Sequence, residues 1–250
     1  MKYVKTLFIT CLLSIGVNAQ EYTAPLQGVE WIDIESKAEI TIKSHGKNTM
    51  VIRPDSPVEI PEKAKGLRLV ADGVDNTGTG FSVTQHGNRL MVKNLRKQDK
   101  GKAVIYLPAS QNISVHSAGL NDMTISGFTG EIEADTEVTG NITITDVSGP
   151  VTANSNTGKV EVIFNRVNQN SPISISTSTG EIDVSLPSDT PANFNLNSTT
   201  GNIYTNFDLN IPDKEGLRPV SSQKVTGSVN NGGVHIRLNS ATGNIYLRKK

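Results

Sequence analysis

The pentapeptide Thr-Gly-Asn-Ile-Tyr stands at residues 200–204 and again at 242–246, 42 positions apart in a chain of 250. A repeated segment constrains a fold more than composition does, because it implies a repeated structural unit. The two copies belong to a longer pattern. Residues 194–205 read "FNLNSTTGNIYT", 236–247 "IRLNSATGNIYL", 173–184 "ISISTSTGEIDV" and 151–162 "VTANSNTGKVEV". Each unit alternates apolar and polar residues, passes through a Ser/Thr/Asn run to Thr-Gly, and alternates again. Such alternation is the mark of a strand with one buried face. The glycine marks a bend, through φ > 0 or close backbone approach. Fainter copies lie upstream: "VTGNITI" at 138–144, "FTGEIEA" at 128–134, "VSGPVTA" at 147–153 and "SAGLNDM" at 117–123.

Gly119, Gly140, Gly158, Gly180, Gly201 and Gly243 follow one another at steps of 21, 18, 22, 21 and 42. A step near 21, once doubled, predicts one structural coil per step. The turn-rich stretches 168–171, 188–191 and 231–233 are expected at the opposite corners. Residues 206–223 carry "NIPDKEGLRP" and break the pattern. They read as an irregular excursion on one coil, with Thr226-Gly227 starting the return. The predicted fold is all-β: a single-domain β-solenoid (parallel β-helix) with about 21 residues per coil. Each coil would lie on the previous one about 4.8 Å away. One coil cannot bury its own apolar face, so successive coils repeat their inward residues and bury them against each other. The expected inward set is Ile173, Ile175, Ile182, Val184, Phe194, Leu196, Ile203, Ile236, Leu238, Ile245 and Leu247. A β-sandwich also accepts alternation, but has less reason to keep one corner sequence at one period. A membrane barrel needs spanning strands of about 9–11 residues, longer than the runs here.

The first residues, "MKYVKTLFITCLLSIGVNAQ", join Lys2 and Lys5 to an apolar run at 7–17 and a small-x-small site ending at Ala19. Residues 1–19 therefore read as a signal peptide. Cys11 leaves with it, so the mature chain would have neither a disulfide framework nor thiol chemistry. Losing Lys2 and Lys5 leaves 22 basic against 24 acidic residues. That balance gives no pointer to nucleic acid or to an anionic membrane surface. A secreted or periplasmic, outer-membrane-associated location is expected, with no transmembrane segment after cleavage. Residues 20–100 repeat less clearly and are expected to form irregular first coils and an N-terminal cap. "WIDIESKAEITIKSH" (31–45) reads as two strands around Ser36-Lys37, and "FSVTQHGNRLMVKNL" (81–95) as a hairpin around His86-Gly87-Asn88. Residues 101–250 are expected to form the regular repeats. No helix is expected.

From about Trp31 onward the chain resembles the putative-adhesin family, bacterial secreted proteins of β-strand repeats and unknown function. It is also similar to the GIN adhesin-head domain. The carriers are "VIYLPASQNISVHSAG" at 104–119, the serial Ser/Thr-Gly-x-Ile/Val units, and "VTGSVNNGGVHIRLNSATGNIYL" at 225–247. The resemblance implies a β-helix and an envelope location. It offers no catalytic residue or cofactor to carry over.

Counted from the corner glycine, positions +1 and +3 should point outward. They hold Lys159 and Glu161 on one coil, and Glu181 and Asp183 on the next. Stacking would bring Glu161 beside Asp183, about 5 Å apart at the backbone. Such a pair could serve a retaining glycosidase, and Glu161, Glu181 and Asp183 could hold calcium. The plainer expectation is a solvated face with Lys159 pairing Glu181 across coils. His45, His86, His116 and His235 show no metal-ligand spacing. No G-x-S-x-G frames a nucleophile. "GTGFSV" at 78–83 is glycine-rich, but neither helix nor lysine follows it, so it reads as a turn.

Four residues before the glycine stand Asn154, Ser176, Asn197 and Asn239; three before stand Ser155, Thr177, Ser198 and Ser240. Stacked, these become ladders along one edge. Their plain role is to satisfy corner backbone groups that leave the strand ladder. Tyr204 and Tyr246 point outward beside them and could stack on sugar rings. The ligand-binding candidates are therefore Tyr204, Tyr246, Asn197 and Asn239. Three function classes follow. The chain could be a non-catalytic adhesin or scaffold that binds cell-surface polysaccharide or protein, with self-association through an open coil end. It could instead be a β-helix carbohydrate-active enzyme using the acidic pair, or a purely structural envelope protein. The first is expected, because no nucleophile, base and oxyanion donor converge.

Overall fold

Isoleucine, valine and leucine alternate with small polar residues through most of the chain, and β-branched side chains favour a half-buried pleated surface. The chain follows that instruction. In the computed structural model, strands Ile173–Thr179 and Ile182–Leu186 bury Ile173, Ile175, Ile182, Val184 and Leu186 and turn the intervening residues outward. The structure describes residues 20–58, 61–67, 70–71, 73–98, 100–210 and 223–250. Residues 1–19, read from the sequence as a signal peptide and holding Cys11, lie outside the described residues, as does the expected excursion beyond residue 210.

The molecule is all-β. Two ten-stranded sheets enclose one hydrophobic core that runs from Leu26 to Leu247. The one described helix is a 3-10 turn at Glu62–Ala64. We call the sheet holding Ile182–Leu186 sheet I and the sheet holding Ile173–Thr179 sheet II. A rung is a sheet II strand, a corner and the following sheet I strand. The later rungs are built from Ile132–Thr136 with Ile142–Val147, Val151–Thr157 with Val160–Phe164, Ile173–Thr179 with Ile182–Leu186, Ala192–Ser198 with Ile203–Thr205, and Val234–Ser240 with Ile245–Lys249. The earlier ones use Trp31–Ser36 with Ile40–His45, Arg89–Asn94 with Ala103–Pro108, and Asn112–Ser117 with Met123–Ser126. Both strands expected around Ser36-Lys37 and the hairpin around His86-Gly87-Asn88 are present.

Neighbouring rungs pair in parallel with inward residues in register. In sheet II, Ile113 faces Ile132, Ile132 faces Val151, and Ala153 faces Ile175. In sheet I, Ile125 faces Ile144, Ile144 faces Val162, and Val162 faces Val184. Every member of the expected inward set is buried except Ile203, which is half-buried in the last strand of sheet I.

The spatial order differs from the order in sequence. Rung 234–249 lies between rungs 173–186 and 192–205: Ile175 pairs with Leu238, and Leu238 with Leu196. The two Thr-Gly-Asn-Ile-Tyr segments are therefore direct neighbours, Ile203 on Ile245 and Tyr204 on Tyr246. The step of 42 is one step in space, not two. Strand Gln223–Val229, which contains Thr226-Gly227, does not begin a rung; it runs antiparallel to Ala192–Ser198 as the edge of sheet II. The N-terminal end mirrors this. Rung 31–45 lies between rungs 89–108 and 112–126, and antiparallel strands Phe81–His86 and Thr49–Pro54 cover the outer rung. Near the C-terminal end Phe207 is buried with its ring 6.0 Å from that of Phe194.

The corner glycines permit this stacking. A Cβ on Gly243 would collide with the carbonyl oxygen of Gly180, one on Gly180 with that of Gly158, and one on Gly158 with that of Gly140. A Cβ on Gly201 would meet the carbonyl of Gly243. Backbone sits on backbone at this corner, and a side chain would hold the rungs apart.

Two predictions follow from this packing. Gly243→Ala should cost about 3 kcal/mol, or roughly 10 °C in Tm, by overpacking. Gly46→Ala, where nothing lies within 4 Å, should change Tm little in the same thermal melts. Ile245→Asp places an uncompensated charge in the core and should cost at least about 4 kcal/mol in urea unfolding. Ile203→Asp, half-buried on the end rung, should cost about 1 kcal/mol. Equal penalties at the two sites would contradict the rung order.

Candidate functional site

The outward residues of sheet I form a row across the rungs: Thr143 faces Glu161, Glu161 faces Asp183, Asp183 faces Tyr246, and Tyr246 faces Tyr204. The sequence places Glu161 beside Asp183, and so does the structure. The ion pairs differ from expectation. Lys159 reaches Glu161 of its own rung at 3.3 Å rather than Glu181. Arg248 grips Asp183 through two N–H groups, at 2.8 and 3.2 Å. That hydrogen bonding, and then the carboxylate charge, push the Arg248 guanidinium further up from its ordinary range. Each carboxylate of the pair thus already holds a cation. Among the described residues no group of three or more His, Cys, Asp or Glu is placed to hold a metal ion.

Beside this pair the tyrosines stack. The rings of Tyr204 and Tyr246 lie 5.4 Å apart at 12°. The Arg248 guanidinium sits 5.1 Å from the centre of the Tyr246 ring while bound to Asp183 on the side away from Tyr204. The Tyr246 hydroxyl donates to Glu181 at 3.4 Å and accepts from the Asn244 amide at 3.1 Å. Two of the four ring faces therefore cover each other and a third lies under Arg248. Tyr204 lies on the end strand and is 50% exposed, and among the described residues no ring or cation covers its outer face.

Asn197 and Asn239 lie on sheet II, across the corner from the tyrosines, and the two pairs share no face. Their amides are joined: Asn197 donates to Asn239 at 2.7 Å. The same row continues with Ser176 donating to Asn154 at 2.9 Å and Asn154 to Asp135 at 2.9 Å. Next in line, His116 lies 3.0 Å from Asp135. These outer polar groups mostly satisfy one another.

The inner row is buried. Ser155, Thr177, Ser198 and Ser240 point into the molecule at the corner. Each donates to a glycine carbonyl of a neighbouring rung: Ser155 to Gly140, Thr177 to Gly158, Ser240 to Gly180 and Ser198 to Gly243, at 2.9 to 3.2 Å. Ser240 and Ser198 also accept from the N–H of Gly243 and Gly201. The expected structural role of the corner row holds for these hydroxyls.

Two residues went unread in the sequence. Arg248 follows the second Tyr-Leu, and its outward position was available from the alternation; its contact with Asp183 was not, because it depends on which rung lies below. Arg237 points outward on sheet II and makes no hydrogen bond or ion pair among the described residues.

Residues 122–248, just over half the chain, match the Toastrack DUF4097 family. The chain belongs to that family. The matched stretch of the Toastrack chain holds the six later sheet II strands and their corners. Two solved structures are similar in outline. One is described as a putative cell adhesion protein from Clostridium sporogenes ATCC 15579, 10% identical, covering 92% of this chain and 99% of its own, with a TM-score of 0.43. The other, a putative adhesin from Bacteroides fragilis NCTC 9343, is 16% identical and covers 92% and 96%, with a TM-score of 0.44. The family resemblance read from the sequence holds through the match over residues 122–248. No curated protein matches the chain. Among the described residues no helix is long and apolar enough to cross a membrane.

Ser240→Ala should cost about 1–2 kcal/mol, since it strands a half-buried glycine carbonyl and a half-buried N–H together. Tyr204→Ala should cost less than about 1 kcal/mol, because its ring is half-exposed at the end of the stack. Chemical denaturation of the two variants beside the parent chain measures both.

Proposed function

We propose that this Toastrack chain is a non-catalytic adhesin or scaffold of the cell envelope that binds glycan or protein through its stacked outer face. The observation that carries this reading is the layered site on sheet I, Asp183–Arg248–Tyr246–Tyr204, which ends in one open aromatic face. An aromatic face with a phenol hydroxyl at its edge suits a sugar ring, which offers apolar C–H and polar O–H together. The parallel pairings in the middle of the chain are offset by 18, 19 or 22 residues, which supports a β-helix with a coil close to the expected 21 residues. The leader at 1–19 supports secretion, with cleavage near Ala19 and a periplasmic or outer-membrane-associated location. In this reading residues 20–100 form the cap and first coils, and 101–250 the regular part.

Ion pairing also argues against the enzymatic alternative. A retaining glycosidase needs one free carboxylate as nucleophile and one protonated as acid. Glu161 and Asp183 instead hold Lys159 and Arg248.

Mature protein on a glycan array, with a depolymerisation assay beside it, tests the proposal. Binding without turnover is expected. Tyr204→Ala with Tyr246→Ala should weaken that binding roughly tenfold, the scale of one lost aromatic contact, with Tm lowered by several degrees and the strand signal in circular dichroism retained. Hydrolysis that Glu161→Gln abolishes would replace the scaffold with an enzyme. Normal binding by the double tyrosine variant would move the site elsewhere.

A further inference from the structure

The outer face of sheet II changes character along its length. At the N-terminal end, strands Arg89–Asn94, Trp31–Ser36, Asn112–Ser117 and Ile132–Thr136 carry charges of both signs, and most are paired. Arg89 binds Asp33, Lys93 lies 3.2 Å from Glu35, and His116 lies 3.0 Å from Asp135. At the C-terminal end the adjacent strands Ile173–Thr179, Val234–Ser240, Ala192–Ser198 and Gln223–Val229 contain no Asp or Glu at all. Their charged residues are Arg237 and Lys224, both exposed. Neither has an ion-pair partner among the described residues.

Arg237 lies in an open groove of about 630 Å³ on this face. In register it stands between Ser174 and Asn195, and Asn195 faces Thr226. Lys224, beyond the groove's lining, faces Asn197; it stands two strands over and two residues along from Arg237, about 12 Å away at the backbone. His235 also lines the groove. Unlike the neighbouring amide row, Ser174, Asn195 and Thr226 have no side-chain hydrogen-bond partner among the described residues. The other guanidiniums on these faces are occupied: Arg53, Arg89 and Arg248 each bind a carboxylate and lie 5.1 to 5.3 Å from a ring centre.

We propose that this groove is a second binding site, independent of the tyrosine stack, and that it takes a carboxylate-bearing glycan chain such as a polyuronate. Arg237 receives one sugar carboxylate through its fork of N–H groups, and Lys224 a second carboxylate farther along the chain. Asn195, Ser174 and Thr226 both donate and accept, which matches sugar hydroxyls. Two single cations two strands apart suit single charges spaced along a polymer. An acidic peptide is the weaker candidate. Peptides commonly join a sheet through a free edge, whereas the groove lies on a face whose backbone is already paired across four strands. Self-docking of the acidic half is also disfavoured, because Asp33, Glu35 and Asp135 already have partners there.

Calorimetric titration of the mature chain with oligomers of galacturonate, glucuronate and mannuronate, and with their methyl esters, tests the site. At least one acid series should bind, with its ester at least about tenfold weaker. Arg237→Gln should lose about tenfold in affinity at unchanged Tm, and Arg237→Lys less. Tyr204→Ala with Tyr246→Ala should leave uronate binding intact, which separates this site from the one on sheet I. The proposal is overturned if all three acid series fail to bind, if esters bind as well as acids, or if Arg237→Gln binds like the parent. A polyglutamate peptide that binds as tightly as the best uronate would also overturn it.

Discussion

The contact on which the molecule depends is backbone against backbone at one corner. Gly140, Gly158, Gly180, Gly243 and Gly201 form a column in which each Cα lies against the carbonyl of its neighbour, with no room for Cβ. A buried hydroxyl beside each bend fixes the geometry. Ser155, Thr177, Ser240 and Ser198 hand their protons to those same glycine carbonyls, which the tight bend removes from the strand ladder. Glycine gives the proximity and the hydroxyl satisfies the acceptor that proximity would otherwise strand. The Ser/Thr-x-x-Gly spacing is the written form of that pair of requirements.

The same corner explains the chain path at the ends. A parallel stack that simply grew by sequence would finish in bare strand edges, which invite pairing with other chains. Here the first and last rungs are tucked one place inward, and the exposed places go to antiparallel strands and a three-residue strand at Ile203–Thr205. The arrangement binds distant segments: rung 192–205 reaches the rest of the stack only through rung 234–249, made later in the chain. Such non-local closure delays the reward for ordering the intervening residues, so folding of this end should be slow relative to the local hairpins.

Much of this was legible from residues alone. Alternation assigned the inward faces, with Ile203 the exception because its rung lies at the end of the stack. The corner glycines from Gly140 onward and the hydroxyls were placed correctly, as was the Glu161–Asp183 neighbourhood; Gly119 was not, since Gly140 packs on the carbonyl of Asn121 and Gly119 on that of Lys37. Rung order was not legible, for a physical reason. Inward positions are mostly Ile, Val, Leu or Phe, with Ala103, Ala134, Ala153, Ala192 and Met123 among them, so most rungs could bury their faces against several others. Only the identity of residues 200–204 and 242–246 hinted that these two touch, and the expected uniform period obscured the hint. The ion pairs were missed with the order, since the partner of Asp183 depends on Arg248 lying on the adjacent rung.

The outer faces follow a different logic from the core. A polar side chain on a sheet surface is informative according to whether its neighbours have already used its hydrogen-bonding capacity. Asn197, Asn239, Asn154 and Ser176 look like a binding row in the sequence, yet each already has a partner along the row. Arg237, Asn195 and Ser174 look unremarkable in sequence, yet they keep their donors and acceptors for solvent or a ligand. A repeat protein can bring such differences about with few substitutions, because each outward residue meets the same positions on the rungs above and below. Arginine opposite aspartate closes a pair, as Arg248 does on Asp183; arginine between serine and asparagine, as at Arg237, leaves the charge open. The rungs supply a scaffold of nearly uniform shape, and the choice of neighbour at each outward position decides which parts of that surface remain chemically available.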